Sequence, residues 1–178
     1  MSKLGYIPKD LTFDEKGREQ LIQGITAISK AVKSTLGPRG QTVLIESPDH
    51  TGGITVTKDG VTVAKSIFLD NAIENLAIQM MKDAATRTAN SAGDGTTTAI
   101  VLTEAIVNAG QKLLKENHNI TEVIKSINRY CDKIIGILES NSKKITKDTL
   151  LDVATISANN DKEIGKIIAD AYNKVGTN

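Results

Sequence analysis

Three observations predict a mainly helical fold carrying one small β-hairpin. Apolar residues recur at helical spacing in six segments, a β-rich composition is confined to the stretch from Thr42 to Thr57, and three glycine-bearing turns fall where regular segments end. The first helix runs from Asp14 to Leu36, with a stripe of Leu21, Ile22, Ile25, Ile28, Val32 and Leu36, and stops at Gly37-Pro38. Thr42-Val43-Leu44-Ile45 and Ile54-Thr55-Val56-Thr57 read as a hairpin around the loop-like Ser47 to Gly53. After Asp59-Gly60 a short apolar segment leads to a long helix with Ile73, Leu76, Ala77, Met80, Met81, Ala84 and Thr88 on one face. The helix from about Thr97 to Glu116 is apolar on nearly every side, which predicts burial all round. Thr121 is placed to N-cap a further helix whose row of Ile124, Ile127, Cys131, Ile134, Ile135 and Leu138 is assigned to the core. Shorter helices follow over about Asp148 to Ile156 and Asp161 to Val175, beyond a polar stretch, Glu139 to Lys144, that reads as a domain boundary. Internal repeats and low-complexity tracts are absent.

At 178 residues and 39% hydrophobic content, the chain is long enough for one ordinary domain, or for one and a piece of another. No apolar run approaches the roughly 20 residues of a membrane helix, and Met1 to Gln20 lack a signal-peptide core, so a cytoplasmic protein without a membrane partner is expected. Lys+Arg 22 against Asp+Glu 21 leaves a net charge of +1 without blocks of like sign, which argues against nucleic acid as a partner. A single cysteine, Cys131, excludes an internal disulfide and a cysteine metal cage, and its helical row makes it a core residue. His50 and His118 have no acid or nucleophile patterned near them and read as surface residues.

The chemistry concentrates in Gly93-Asp94-Gly95-Thr96-Thr97-Thr98. One carboxylate stands between two glycines, and three hydroxyls follow at the mouth of an apolar helix. Glycines let the backbone turn closely around an anion, the helix start offers unpaired N–H groups, and the hydroxyls add donors. Asp94 is repelled by phosphate, so a divalent cation between them is the physical reason for a carboxylate there. An ordinary Asp-Gly turn is the bland alternative. Thr35-Leu36-Gly37-Pro38-Arg39-Gly40 and Thr57-Lys58-Asp59-Gly60 are further turns of the same kind, and each by itself also reads as a helix stop or a hairpin exit. Converging, the three would supply backbone donors, one lysine and two carboxylates, the inventory for a nucleotide, magnesium and an activated water. Neither the Gly-x4-Gly-Lys-[Ser/Thr] nor the Gly-x-Gly-x-x-Gly pattern occurs.

As a set these residues closely resemble group I chaperonins, the bacterial and organellar sixty-kilodalton heat-shock family. Lys33 to Gly40 resembles the family's first nucleotide-contacting turn, Thr57-Lys58-Asp59-Gly60-Val61 its second, and Ala92 to Ala99 its phosphate-binding signature. Val153 to Asp161 and Asp170 to Gly176 resemble its next segment, so order and spacing agree from about Phe13 to Gly176. Three departures stand out: Arg39 replaces the usual lysine, the loop from Ser47 to Gly53 is about two residues longer than is usual in the family, and Gly53 stands where a proline is common, as in a divergent viral or bacterial member.

The resemblance implies the multihelical equatorial fold, with residues 1–141 as the first half of an ATP-binding equatorial domain and 142–178 as the first leg of an intermediate hinge domain; the apical domain has no counterpart in these residues. It implies ATP, magnesium and potassium as ligands. Thr35, Leu36, Gly37 and Pro38 would line the nucleotide, Lys58 would serve the phosphates and the potassium region, and Gly95, Thr96, Thr97 and Thr98 would donate to phosphate. Asp94 would hold magnesium, and Asp59 would be one of two carboxylates that orient or deprotonate the attacking water. The second catalytic aspartate comes from a later segment of the family's chain, so hydrolysis is an expectation for the complete protein. A homo-oligomeric ring, a heptamer by the same resemblance, unfolded client polypeptides and a lid co-chaperonin are the implied partners. An ATPase-deficient structural or assembly subunit, and an unrelated helical nucleotide-binding module, are the alternatives.

Overall fold

The computed structural model describes residues 11–37, 39–46, 53–116 and 118–176. The loop predicted between Ser47 and Gly53, together with His50, falls outside the described residues except at Gly53. The chain divides into two compact units, one ending at Val123 and the other beginning at Ile124.

In the first unit, α1 (Asp14–Lys33) packs against α3 (Ala72–Ala92) and α4 (Thr96–Lys115), with the hairpin β1 (Val43–Glu46) and β2 (Ile54–Thr57) and the short α2 (Gly60–Ser66) inserted between α1 and α3 in sequence. The core is Ile28 and Val32 of α1, Val63 and Ala64 of α2, Ile78, Met81 and Ala85 of α3, and Ile100 of α4. The strands are antiparallel in the register Val43 to Thr57 and Ile45 to Thr55. Strand alternation sends Val43 and Ile45 against this core and leaves Leu44 exposed. Close crossing of α1 and α3 depends on Gly24, where any side chain would collide with the Glu74 carbonyl.

Two expected faces are corrected here. On α3 the buried row is Ala77, Ile78, Met81 and Ala85, whereas Leu76, Met80 and Ala84 are exposed; the inward face lies about one residue round the helix from the expected one. On α4, only Thr96, Ile100 and Glu104 are buried, and Leu102, Ile106 and Leu113 are exposed, so this helix is covered on one face and not all round.

Asn119 caps α5 (Ile120–Asn141), accepting from the Thr121 and Glu122 N–H groups at 2.9 and 3.3 Å, so Thr121 is the second helical residue and not the cap. None of the residues of α5 is buried among the described residues; Ile124, Ile134, Ile135 and Leu138, expected in a core, are exposed and Cys131 is half-buried. Further on, Thr146 and Thr149 form a reciprocal capping box at the start of α6 (Lys147–Ser157). Asn159 and Asn160 take left-handed backbone at φ 57° and 66°, a conformation asparagine tolerates, and Asp161 caps α7 (Lys162–Val175). The two helices cross at Gly165, where a methyl group would come within 2.6 Å of Thr155 Cα.

Candidate functional site

The first turn forms because α1 ends at Lys33 and the chain tightens: Thr35 N–H bonds to Val32 O at 3.1 Å, Leu36 N–H to Lys33 O at 3.1 Å, and Thr35 Oγ1 donates to Val32 O at 2.8 Å. Gly37 then takes left-handed backbone at φ 76°, and bonds from Gly40 N–H to Gly37 O and from Gln41 N–H to Ser34 O close the turn. Leu36 and Gly37 are exposed at its tip, and Pro38 lies outside the described residues.

The second turn is the start of α2. Asp59 is its N-cap, with Oδ1 accepting from Val61 N–H at 3.3 Å and Oδ2 accepting from Thr62 N–H at 2.8 Å and Thr62 Oγ1 at 2.7 Å. Partial burial works to raise its pKa, but these three donors and nearby Lys65 outweigh it and hold the carboxyl below the usual aspartate value. Asp59 therefore remains ionised and is a weak proton acceptor, while Oδ1 keeps room for another donor. At the other end of α2, Lys82 donates to the Lys65 and Ile67 carbonyls at 2.8 and 2.6 Å, and its partial burial lowers its pKa. A seven-residue helix is thus held at both ends by side chains. Lys58 is exposed beside the cap.

The third turn connects α3 to α4. Gly93 ends α3 at φ 74° and Gly95 opens α4 at φ 87°, both left-handed, so each glycine in the Gly-Asp-Gly run is conformationally required. Asp94 is exposed; Oδ1 accepts from Gly95 N–H at 2.6 Å, and Oδ2 has no partner among the described residues. No side chain caps α4. Its first internal bond is Ala99 N–H to Gly95 O, which leaves the N–H groups of Thr96, Thr97 and Thr98 without an intrahelical acceptor. Thr96 is buried, Thr97 half-buried and Thr98 exposed.

All three turns meet at Gly60. A methyl group there would collide with Thr97 Oγ1, from the third turn, and stand 3.3 Å from Thr35 Oγ1, from the first. The backbone of the second turn is therefore wedged between two hydroxyls separated by 62 positions in sequence, closely enough that a Cβ would force Thr97 to move. We expect Gly60→Ala to displace Thr97 and weaken any ligand held by the α4 start by about tenfold, or about 1.4 kcal/mol. Titration of the variant against the parent checks this. Gly110→Ala, at a helical glycine with nothing within 4 Å, is the control and should stabilise slightly, by about 0.5 kcal/mol. Equal affinities in the Gly60→Ala variant and the parent would show that the wedge does not matter to binding.

Among the described residues no group of three or more His, Cys, Asp or Glu side chains is placed to hold a metal, so a cation at Asp94 would rely on one carboxylate and on oxygens of its ligand. That donor set fits magnesium, which is ordinarily bound by one or two carboxylates plus phosphate and water. The Lys58 side chain has donors and no acceptor, so it can neutralise phosphate, while a potassium ion beside it would have to rest on backbone carbonyl oxygens, that of Lys58 included, and on ligand oxygens. Sequence reading missed the Thr62 hydroxyl and Lys82, neither of which belongs to a glycine turn. It also missed an ion pair between Lys33 and Glu104, although Glu104 is the only charged residue between Thr96 and Gln111 and that isolation is a readable signal.

Solved structures share this fold. The chaperonin gp146 from the bacteriophage EL 2 (Pseudomonas aeruginosa), solved in presence of ATP-BeFx, superposes with a TM-score of 0.78 at 31% identity, over 92% of this chain and 29% of that one. A group III chaperonin in the open state superposes with a TM-score of 0.76 at 26% identity, over 90% of this chain and 32% of its own. The sequence thus spans about three-tenths of the length of the chaperonin chains it matches. Its helical fold with one small antiparallel sheet is that of a chaperonin equatorial domain. Residues 28–178 match the TCP-1/cpn60 chaperonin family, and the chain belongs to that family.

Proposed function

We propose that this chain is the N-terminal, ATP-binding portion of a chaperonin subunit of the group I type, in which residues 1–141 belong to an equatorial domain and 142–178 to the first leg of an intermediate domain. The observation that carries the reading is the convergence of the three turns on Gly60. The Thr96, Thr97 and Thr98 N–H groups and hydroxyls bind phosphate oxygens at the positive end of α4, and the first turn, Thr35 to Pro38, lines the nucleotide. Lys58 balances phosphate charge. Asp94 holds magnesium, which when bound neutralises the phosphates and draws charge from the bond to be broken. Asp59, ionised and weakly basic, orients the attacking water through Oδ1, and the later segment supplies the second carboxylate. Potassium would be held beside Lys58 by backbone carbonyl and ligand oxygens. That the phage relative was solved in presence of ATP-BeFx supports nucleotide binding at this fold.

The working form proposed is a cytoplasmic homo-oligomeric ring, a heptamer on the group I reading, that folds client polypeptides with a lid co-chaperonin. The two-stranded sheet supports assembly. Among the described residues both of its strands are edges, and Leu44, Ile54 and Val56 are 64–69% exposed, a surface suited to pairing with another subunit. No described helix is long and apolar enough to cross a membrane.

An ATPase-deficient assembly subunit is the second reading, favoured by the engagement of both Asp59 oxygens in capping α2. MgATP binding and phosphate release by the full-length natural polypeptide decide between them. Binding with steady phosphate release is expected; binding without release, or no binding at all, overturns the ATP-driven reading and supports the structural or assembly subunit.

A further inference from the structure

We infer that Lys33 and Glu104 are a pair of positioning residues for nucleotide binding, an inference that rests on the nucleotide reading above. Glu104 is 7% exposed, and a carboxylate so deeply buried needs a cationic partner. Its partner among the described residues is the Lys33 ammonium, which is about half exposed at the end of α1. The bond joins residues 71 apart in sequence.

Its place in the fold gives it leverage on the site. Lys33 is the last residue of α1 and immediately precedes Ser34-Thr35-Leu36-Gly37, the first turn. Glu104 lies seven residues after Thr97, which puts both on one face of α4, about 10 Å apart along its axis. Ile100, between them, is in the core with Ile28 and Val32 of α1. One end of α4 thus meets the first and second turns through Thr97 and Gly60, and two turns further on it is tied to the root of the first turn through Glu104.

The apolar contacts of Ile28, Val32 and Ile100 are non-directional and would tolerate sliding of α1 along α4. A buried carboxylate whose cationic partner comes from another helix penalises such displacement, because sliding would leave Glu104 desolvated and unpaired. Lys33 also sits where a cation favours the α1 C-terminus, so the same side chain stabilises the end of the helix and fixes its position against α4. The role inferred for the pair is positioning. The pair holds the Thr35 hydroxyl and the Leu36-Gly37 backbone in register with the phosphate-binding start of α4.

The test uses the full-length natural polypeptide, with MgATP titrated by calorimetry and followed in steady-state hydrolysis. Lys33→Met and Glu104→Gln should each raise both the dissociation constant and KM for MgATP by about tenfold or more, while kcat stays within about threefold, the signature of lost ground-state binding. The double variant should be no weaker than the weaker single, because either change breaks the same bond. Lys33→Arg, which keeps the charge, should remain within about threefold of the parent. Lys33 is half exposed, so its replacement leaves the apolar core intact and this arm survives should Glu104→Gln not fold. A folded Lys33→Met variant with parent-like KM, whatever its melting temperature, overturns the inference; so do losses that multiply in the double variant. Failure of the parent itself to bind MgATP removes the nucleotide reading, visible without any variant, and the inference with it.

Discussion

Asp94→Ala in the full-length polypeptide is expected to slow ATP hydrolysis by about a thousandfold or more, about 4 kcal/mol of barrier, with a much smaller loss of nucleotide affinity. Asp94 projects from a turn built by two left-handed glycines, one of its oxygens is tied to Gly95 N–H, and the other is available to a cation. Removing it takes away the metal ligand and leaves the backbone donors of Thr96 to Thr98 in place, so binding and chemistry should separate. Asp94→Asn keeps the bond to Gly95 and guards against a collapsed turn. Phosphate release within about threefold of the parent, a difference below about 1 kcal/mol, would mean that Asp94 does not carry the magnesium.

Asp59 demands a different substitution because it does two things. As the N-cap of α2 it accepts three hydrogen bonds, and Asp59→Ala would lose about 1 kcal/mol of stability from that source alone. Asp59→Asn keeps an acceptor in the cap and removes the charge. This variant should melt near the parent and bind MgATP within about threefold, while kcat falls by about a hundredfold or more. Parallel losses of affinity and rate would identify Asp59 as a structural cap. The cap also predicts a pH dependence. Because the folded-state pKa lies below the ordinary 3.8, the contribution to stability is fully present above that value and is lost as pH falls through the depressed one. The asparagine variant should lack this acid-side loss, as a comparison of melting temperatures over that range would reveal.

Much of the site was legible because its demands are local. A Gly-Asp-Gly run before three threonines needs left-handed backbone and an uncapped helix start, and Gly93, Gly95 and α4 have both. Asp59 before Gly60 carries its own capping geometry in the next three residues. The six expected helices and the hairpin all occur, since helical spacing and strand alternation are set by the backbone period. The segment after Gly60 was readable only as apolar. At seven residues α2 is too short for periodicity to declare it, and it stands on the Asp59 cap and on Lys82, which arrives from α3.

The faces of the helices were less legible than the helices. The apolar pattern of α3 points to Leu76 and Met80, whereas Ile78 is the buried residue, because hydrophobicity says which residues gain from burial, not which side of a helix a neighbour occupies. Apolar composition likewise predicted burial all round α4 and a core row on α5, whereas Leu102 and Ile106 of α4 and the whole apolar row of α5 are left unburied here. Residue order thus determined the helices, the hairpin, the three turns and the chemistry each turn could hold, since those rest on φ, side-chain donors and charge within a few residues. Only the tertiary structure decided that Gly60 lies between Thr35 and Thr97, and that Lys33 reaches Glu104, because such contacts join chain segments tens of residues apart and arise from packing, which no local pattern encodes.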